Sequence, residues 1–225
     1  MPTRAFSLCC LLVLAAPAAV LAQEPETVAF VIRHGADTVA TERVSRTATE
    51  ITGELTVPAR KSTEGYHVVL APDGTVPLIE VTVRGQAPSP REKARVAQRT
   101  RIIFRGDSVA VDDISDRGLD TRVLPTQPGA IPYLNLSFGL LEQAVRRAAA
   151  AGTPEFDVPF FNLGGSAGQT GGQTVTGKVT RVGADSVSLA IGSIEFVMQV
   201  DKDGRLLRGG IPKQQLFFER TAAGS

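Results

Sequence analysis

The sequence predicts a mainly β protein: an antiparallel β-meander that forms a curved sheet, half-barrel or open barrel, with one principal amphipathic helix near residues 137–151. Three observations lead to this prediction. Apolar and polar residues alternate with period two in several short segments, as in a sheet that is covered on one face. A Gly/Asp turn phrase recurs between such segments. One further stretch has the apolar spacing of a helix.

The recurring turn phrase is a hairpin signal. It occurs as Gly35-Ala36-Asp37-Thr38-Val39, as Gly106-Asp107-Ser108-Val109 and as Gly183-Ala184-Asp185-Ser186-Val187, with relatives at Asp73-Gly74 and Asp203-Gly204. Glycine adopts positive φ without strain, and aspartate hydrogen-bonds to its own backbone, so the phrase favours tight turns. The spacing between copies is irregular, which indicates a meander of hairpins and not a solenoid.

The strands follow from the alternation on either side of these turns. It is clearest in 50–57, 79–83 and 194–200, where each segment has one apolar face. Other strands are expected at about 27–34, 38–47, 65–71, 94–105, 108–114, 174–182, 186–192 and 214–220. The segments 84–92 and 164–172 are expected to be loops because they are rich in Gly, Pro and Ser.

The helix has recognisable start and stop signals. Ser137 can cap its N-terminus, and Gly152 and Pro154 end it. An apolar stripe on one side is expected to face the sheet, and it consists of Phe138, Leu141, Val145 and Ala148. The opposite side is polar, and it consists of Glu142, Gln143, Arg146 and Arg147.

Residues 1–22 have the pattern of a secretory signal peptide. A single charge, Arg4, precedes an apolar run that ends in Val20-Leu21-Ala22, and the chain turns polar at Gln23. We therefore expect cleavage near Ala22, a periplasmic or secreted protein, and one β-rich domain over 23–225. No later stretch approaches the length of a transmembrane span.

Composition and cysteine placement narrow the possible chemistry. The formal net charge is +1, from 24 basic and 23 acidic residues, so no global charge favours nucleic acid as a partner. Both cysteines, Cys9 and Cys10, lie in the predicted signal peptide. We therefore expect neither a disulfide nor a thiol nucleophile in the exported chain, and no cofactor or metal site.

The segment Val31-Ile32-Arg33-His34-Gly35 resembles the Arg-His-Gly signature of histidine phosphatases. That resemblance implies that His34 attacks phosphorus and that Arg33 holds phosphate oxygens. The chemistry also requires a second histidine near the end of the chain and an acid, whereas the other histidine, His67, follows closely. We therefore interpret His34 as the last residue of a strand beside a hairpin turn, and we expect no catalytic residue.

Basic residues crowd one face of the strand expected at 94–105. Arg95, Arg99 and Arg101 share odd positions and form a candidate anion site. The alternative is a solvated face with ion pairs. If Gly106-Asp107 is a two-residue hairpin loop, the register places Arg101 opposite Asp112 and Phe104 opposite Val109.

A secreted meander with a late, Ala-rich amphipathic helix resembles the bacterial lipoprotein-carrier half-barrels, which hold an acyl chain between a curved sheet and covering helices. The resemblance implies a lipophilic small molecule as the partner. Candidate lining residues are Phe30, Phe104, Leu141, Val145, Phe160 and Phe161. The alternative is that these residues fill the core of an envelope structural or interaction module that has no ligand.

Overall fold

A computed structural model describes residues 24–85, 94–164 and 171–222. The predicted signal peptide and most of the two predicted loops lie outside these ranges. The first strands are β1 (Glu26–His34), β2 (Asp37–Arg46), β3 (Glu50–Val57), β4 (Ser62–Val69), β5 (Leu78–Gly85), β6 (Val96–Arg105), β7 (Ser108–Ser115) and β8 (Gly118–Pro125). After them come β9 (Ile131–Tyr133), α1 (Phe138–Ala151), β10 (Glu155–Asn162), β11 (Thr174–Arg181), β12 (Ser186–Ile191), β13 (Ile194–Val200), β14 (Leu206–Ile211) and β15 (Leu216–Ala222).

The strands form one curved sheet of 15 strands, in the order β8-β7-β6-β5-β4-β3-β2-β1-β15-β14-β13-β12-β11-β10-β9. Almost every neighbouring pair is antiparallel and adjacent in sequence, which confirms the predicted meander. The pairing of β1 with β15 joins the two halves of the chain in the middle of the sheet. The pair β9 and β10 is parallel, and α1 supplies the crossover that a parallel connection requires.

The sheet curls until strands from its two ends meet. Phe104 of β6 packs edge-on against Phe161 of β10, with ring centroids 5.9 Å apart, although many strands separate them in the sheet order. The hydroxyls of Thr126, after β8, and Thr174, at the start of β11, are 2.8 Å apart. Among the described residues, no ladder joins the edges β8 and β9, so the sheet is an open barrel-like shell.

The predicted register of the β6–β7 hairpin is confirmed. Arg101 lies opposite Asp112 and Phe104 lies opposite Val109. The Arg101 guanidinium, however, makes its ion pair with Glu80 of β5, at 3.7 Å, whereas the Asp112 carboxylate accepts a hydrogen bond from Thr121. The hairpin therefore forms as expected, but Arg101 of β6 makes its ion pair with β5 and not with β7.

Four strands were not predicted: β8, β9, β10 and β14. The strand predicted at 65–71 begins and ends earlier, at Ser62–Val69, and the one predicted at 214–220 lies at Leu216–Ala222. The remaining expected strands are present within one or two residues of their predicted bounds.

Helix α1 forms as predicted and lies on the concave side of the sheet. Ser137 caps it, with its hydroxyl accepting a hydrogen bond from the Leu140 N–H, and Gly152 ends it with a left-handed φ of 67°. The apolar stripe is buried, but so are Glu142 and Gln143 on the opposite, polar side of the helix. The sheet wraps around the helix, so that only the later turns of its polar side reach the surface.

Within the described ranges, neither α1 nor any other helical segment combines the length and the apolar character that crossing a membrane requires.

Candidate ligand-binding site

The concave side of the sheet contains a cavity that no residue of the helix lines. It has a volume of about 340 Å³ and lies between β4, β5 and β6 on one side and the segments after β9 and β10 on the other. Its apolar surface is formed by Val81, Val83, Ile102, Leu134 and Leu163. Val81, Val83 and Ile102 are inward-facing members of β5 and β6, so the period-two pattern of these strands also lines the cavity, whereas Leu134 and Leu163 lie just after β9 and β10.

A second cavity of about 240 Å³ adjoins the first. The two share part of their walls, namely Gln98, Thr100, Ile102, Leu163 and Gly164. The second cavity extends toward β7 and β8, where Val111 and Leu124 supply apolar surface, and Phe161 of β10 supplies more. Because the two cavities share these walls, we treat them as one site and call it the β5–β8 cleft.

Polar side chains at the wall of the cleft are held in fixed positions by one another. The Asp113 carboxylate accepts hydrogen bonds from the Thr100 hydroxyl, at 2.5 Å, and from the Gln98 amide, at 3.2 Å. Arg122 forms an ion pair with the same carboxylate. An apolar surface with an ordered polar group at one end is suited to an amphiphilic molecule.

A second ion pair lies on the opposite wall. Arg60 donates to the Glu64 carboxylate at 3.0 Å, and Glu64 is buried. Arg60 follows β3 and Glu64 lies on β4, so their strands bring them together across a short turn. The cleft thus has a paired carboxylate and arginine on both sides of its apolar surface.

The part of the interior under the helix is filled. The Phe138 ring stacks on Phe218 with centroids 4.1 Å apart, and Phe30 meets Phe218 edge-on at 5.8 Å. Leu141 and Val145, one and two turns along the helix, are buried in the same hydrophobic core. Tight packing of this kind leaves no room for a ligand.

The predicted lining residues therefore separate into two groups. Phe161 lines the β5–β8 cleft, and Phe104 packs against it. Phe30, Leu141 and Val145 belong to the packed interior under the helix, while Phe160 is buried beside Tyr133 at a ring distance of 6.2 Å. The structure brings these aromatic residues into one apolar interior but does not bring all of them to one cavity.

A buried carboxylate fixes the helix against the sheet. Glu42 of β2 accepts hydrogen bonds from the Ser137 hydroxyl, at 2.6 Å, and from the N–H groups of Phe138 and Gly139, at 2.8 and 3.0 Å. The Tyr66 hydroxyl of β4 donates to it as well, at 2.7 Å. Burial raises the pKa of Glu42, while these four donors oppose that rise. Burial also raises the pKa of Tyr66, and the adjacent Glu42 carboxylate adds to the rise.

Two glycines make this arrangement possible. Gly53 lies opposite Tyr66 in the β3–β4 ladder, and a Cβ atom there would lie 2.0 Å from the Tyr66 ring. The ring crosses β3 at that point to reach Glu42. At Gly139, a Cβ atom would lie 2.5 Å from the Tyr66 hydroxyl and 2.7 Å from Val44. The first turn of the helix can approach the sheet this closely only without a side chain at 139.

A network of ion pairs holds the other side of the helix. The buried Glu142 accepts hydrogen bonds from Arg146, at 2.8 Å, from Arg220 of β15, at 2.8 Å, and from the Leu206 N–H, at 2.9 Å. Arg46 of β2 donates to Gln143 at 2.5 Å. Burial lowers the pKa of Arg46 to about 10. The polar side of the helix is therefore turned toward charged partners on the sheet, and not toward solvent as the sequence pattern suggested.

The histidines are not brought together. His34 is the last residue of β1, as interpreted from the sequence, and is exposed beside the β1–β2 turn. His67 lies on β4, three strands away and near the opposite end of the ladder, where it contacts Glu50 at 3.6 Å. Following the registers through Ser45 and Thr52, the two histidines are offset by eight residues along β2. That offset corresponds to roughly 27 Å of strand.

The candidate anion-binding arginines lie on the convex side. Arg99 and Arg101 are exposed on β6, opposite in direction to Thr100 and Ile102, and Arg95 precedes the strand. Their binding of an anion stays a prediction. The polar residues of the cleft, Gln98, Asp113 and Arg122, were not predicted as site residues. The alternation along β6 places Gln98 on the same face as Thr100 and Ile102, so it could have been considered. Arg122 could not, because β8 was not predicted as a strand.

Two solved structures are similar to this chain. The chain is similar in structure to a DUF1089 family protein from Pseudomonas aeruginosa, with a TM-score of 0.54 and 14% identity over 76% of this chain and 89% of the other. It also matches a β-barrel-like protein of the domain of unknown function DUF1849 from Brucella abortus, with a TM-score of 0.49 and 12% identity over 88% of this chain and 95% of the other. Neither is described as a lipoprotein carrier.

No protein-family model matches the chain, and no curated protein is significantly similar to it in sequence. At 14% identity, the similarity to the Pseudomonas protein shows the fold alone. The fold and the comparison together define the class: a mainly β protein whose single open sheet forms a barrel-like shell around one helix.

Proposed function

We propose that this protein is an extracytoplasmic binding protein that holds a lipophilic small molecule with a polar end in the β5–β8 cleft. The observation that carries the proposal is the cleft itself, a cavity of about 340 Å³ with apolar and polar walls that adjoins a second, more polar one of about 240 Å³. Ligand pockets are typically about 300–1,000 Å³, largely apolar, with a few polar groups that set orientation.

The division of the interior supports this function. The helix and the aromatic residues beneath it form a packed core, and none of Phe30, Phe138 and Phe218 lines the cleft. In the cleft, Val81, Ile102 and Leu163 can remove an alkyl chain from water. Burial of about six methylene groups would contribute roughly 5 kcal/mol before the cost of association is subtracted.

The polar wall suggests how the ligand is oriented. Thr100, Gln98 and Arg122 all point at the Asp113 carboxylate, and they form a set of donors beside apolar surface. A ligand with a hydroxyl, amide or carboxyl end could exchange hydrogen bonds with this set while its chain lies over Ile102. The predicted signal peptide gives this function a location, because an apolar molecule outside the cytoplasm needs a carrier or sensor in water.

The test is a fluorescence titration with an environment-sensitive fatty acid. The variant Val83→Trp fills the cleft, since Val83 lines it and is only half-buried. The matched control is Val197→Trp, which makes the same change in a depression of about 430 Å³ on the convex side, lined by Val31, Arg33 and Phe217. Both valines are accessible, so the two variants should keep the melting temperature of the parent protein within a few degrees.

We expect saturable probe binding by the parent protein and by Val197→Trp, and a loss of at least tenfold in affinity for Val83→Trp. Binding that survives Val83→Trp but is lost in Val197→Trp would assign the ligand to the convex depression and reject the cleft. A parent protein that does not bind the probe or a panel of related amphiphiles would favour the alternative, an envelope interaction module without a ligand.

A further inference from the structure

Strand β8 forms one edge of the sheet in the part of the chain that the structure describes. Among the described residues β8 pairs only with β7, and it is the first strand of the sheet. The two-residue turn Asp116-Arg117 places Ser115 opposite Gly118, and this determines which residue pairs of the β7–β8 ladder are hydrogen-bonded. Hydrogen-bonded pairs then fall on the even residues of β8. The backbone N–H and C=O groups of Leu119, Thr121 and Val123 therefore point away from β7.

The side chains of this edge are apolar on one face. Leu119 and Val123 are 65% and 71% exposed on the convex face, beside Ile114, which is 44% exposed. Between Leu119 and Val123 this edge has no lysine, proline or bulge; its proline, Pro125, is the last residue of β8. Its charges, Asp120 and Arg122, point inward, which disfavours pairing with any strand that does not match them. The opposite face of the same strand carries Asp120 and Arg122.

The order of these residues is self-complementary. If two copies of β8 run antiparallel with Thr121 opposite Thr121, then Leu119 lies opposite Val123 of the second copy, and Asp120 lies opposite its Arg122. All three residues with outward backbone groups then meet each other in hydrogen-bonded pairs. We propose that β8 pairs in this register with β8 of a second copy of the chain, so that two barrel-like shells join edge to edge.

Charge selects this register over its neighbours. A shift by two residues in one direction places Asp120 opposite Asp120, and a shift in the other direction places Arg122 opposite Arg122. Like charges directly opposite each other destabilise a strand pair. A shift by one residue places a residue whose backbone groups point to the partner opposite one whose groups point back to β7. The hydrogen bonds between the two copies are then lost. Only the register centred on Thr121 combines opposite charges, apolar pairs and paired backbone groups.

The contact is small, which sets the expected strength of the association. Five residues from each strand bury less area than the roughly 1,200–2,000 Å² of a stable interface. We therefore expect a weak dimer whose population rises with protein concentration. Each Asp120 already contacts Arg122 of its own strand at 3.3 Å, so dimerisation completes a ring of four alternating charges.

Two single charge reversals test the register. In Asp120→Arg, each copy would present two arginines, and in Arg122→Asp, each would present two aspartates. Either variant alone sets like charges opposite each other, whereas a mixture of the two restores opposite charges at both pairs. The matched control is Asp116→Arg, which makes the same charge change in the adjacent turn, where the register places uncharged Thr126 opposite it.

Sedimentation velocity over a concentration series measures the outcome. We expect the parent protein and Asp116→Arg to dimerise, each β8 variant alone to associate at least tenfold more weakly, and the mixture to recover a heterodimer. Circular dichroism melts establish that each variant is folded. A parent protein that stays monomeric up to millimolar concentration would overturn the proposal, and so would a mixture that associates no better than its components.

Discussion

Glu42 connects three elements of the fold through a single carboxylate. It lies on β2, accepts a hydrogen bond from Tyr66 of β4, and accepts three more from the beginning of α1. The positive end of the helix dipole also favours a carboxylate at this position. The Glu42 side chain is 1% exposed, so a donor that lost this acceptor could not form a hydrogen bond to water in its place. Glu42 therefore stabilises the docking of the helix on the sheet.

Replacing Glu42 with alanine should lower the free energy of unfolding by about 3 kcal/mol or more, because several buried donors lose their acceptor at once. Urea denaturation of Glu42→Ala measures the loss. The control is Glu54→Ala on β3, which removes the same carboxylate from an exposed position and should change stability by about 0.5 kcal/mol or less. Equal effects of the two substitutions would contradict the anchoring role.

Glu26 gives the fold a pH dependence with a definite sign. Although burial alone would raise it, the pKa of Glu26 is lowered by Arg146 and Arg205, which lie 3.1 and 3.0 Å from its carboxylate. Because the pKa of Glu26 is lower in the folded protein, its ion pairs stabilise the fold above about pH 4.5, the ordinary pKa of a glutamate. This contribution is lost as the pH falls through the pKa that Glu26 has in the folded protein.

We therefore expect Glu26→Gln to be less stable than the parent protein at pH 7, by about 1 kcal/mol for a partly exposed site. The difference should shrink as the pH falls below 4.5. Thermal melts of both proteins between pH 7 and pH 3 measure it. A difference that stays constant or grows in acid would show that Glu26 does not act through its charge.

At the scale of single residues, the sequence carried only part of this information. Ser137 and Gly152 could be identified as caps because local chemistry decides them. The partners of Glu42 could not, since Tyr66 and Ser137 meet it only through the tertiary fold. A charged residue on the polar side of a helical pattern normally faces solvent. For Glu142 that expectation was wrong, because Arg220 and Arg46 approach from strands far away in the sequence.

Helix α1 fills part of the interior of the curved sheet. Leu141 is 3% exposed and belongs to the packed interior, away from the walls of the β5–β8 cleft. We expect Leu141→Ala to lose the full ~2–5 kcal/mol of a tightly packed leucine and to leave probe binding by the folded protein unchanged. Chemical denaturation and probe titration of the same preparation measure both. A small loss of stability together with altered binding would place the ligand under the helix instead.

The strands that could not be predicted each lack the pattern that marks a strand. Strand β8 is exposed on most of both faces, so it has no contrast of period two. Strand β9 has only three residues. In β10, Pro159 interrupts the apolar run, but it is tolerated because β9 begins to pair only at Phe160. In β14, Gly209 and Gly210 follow an irregularity in its ladder with β13.

The curved sheet encloses two different regions: a packed core under α1 and the β5–β8 cleft. The curved sheet and its helix were predictable because turn chemistry and strand period point to the same architecture. The position of the cleft was not, because it depends on the curvature that brings β6 and β7 to face the end of β10. Six aromatic and aliphatic residues were selected by hydrophobicity, and that property does not distinguish a core from a cavity.

The proposed extracytoplasmic location has its own test. If residues 1–22 are removed on export, the mature chain begins at Gln23 or within a residue or two of it. Intact mass spectrometry of protein recovered from the growth medium or periplasm of an expressing bacterium measures this directly. Exported protein that retains residues 1–22 would contradict the assignment of this segment as a signal peptide.

The central claim is that one lipophilic molecule binds in the β5–β8 cleft of each chain, and native mass spectrometry of the protein with added single-chain amphiphiles tests it most directly. We predict an adduct of one molecule per chain, retained in Val197→Trp and lost in Val83→Trp, which fills the cleft beside Ile102 and Thr100. A chain that shows no adduct with any amphiphile, or an adduct that Val83→Trp leaves unchanged, would contradict the account.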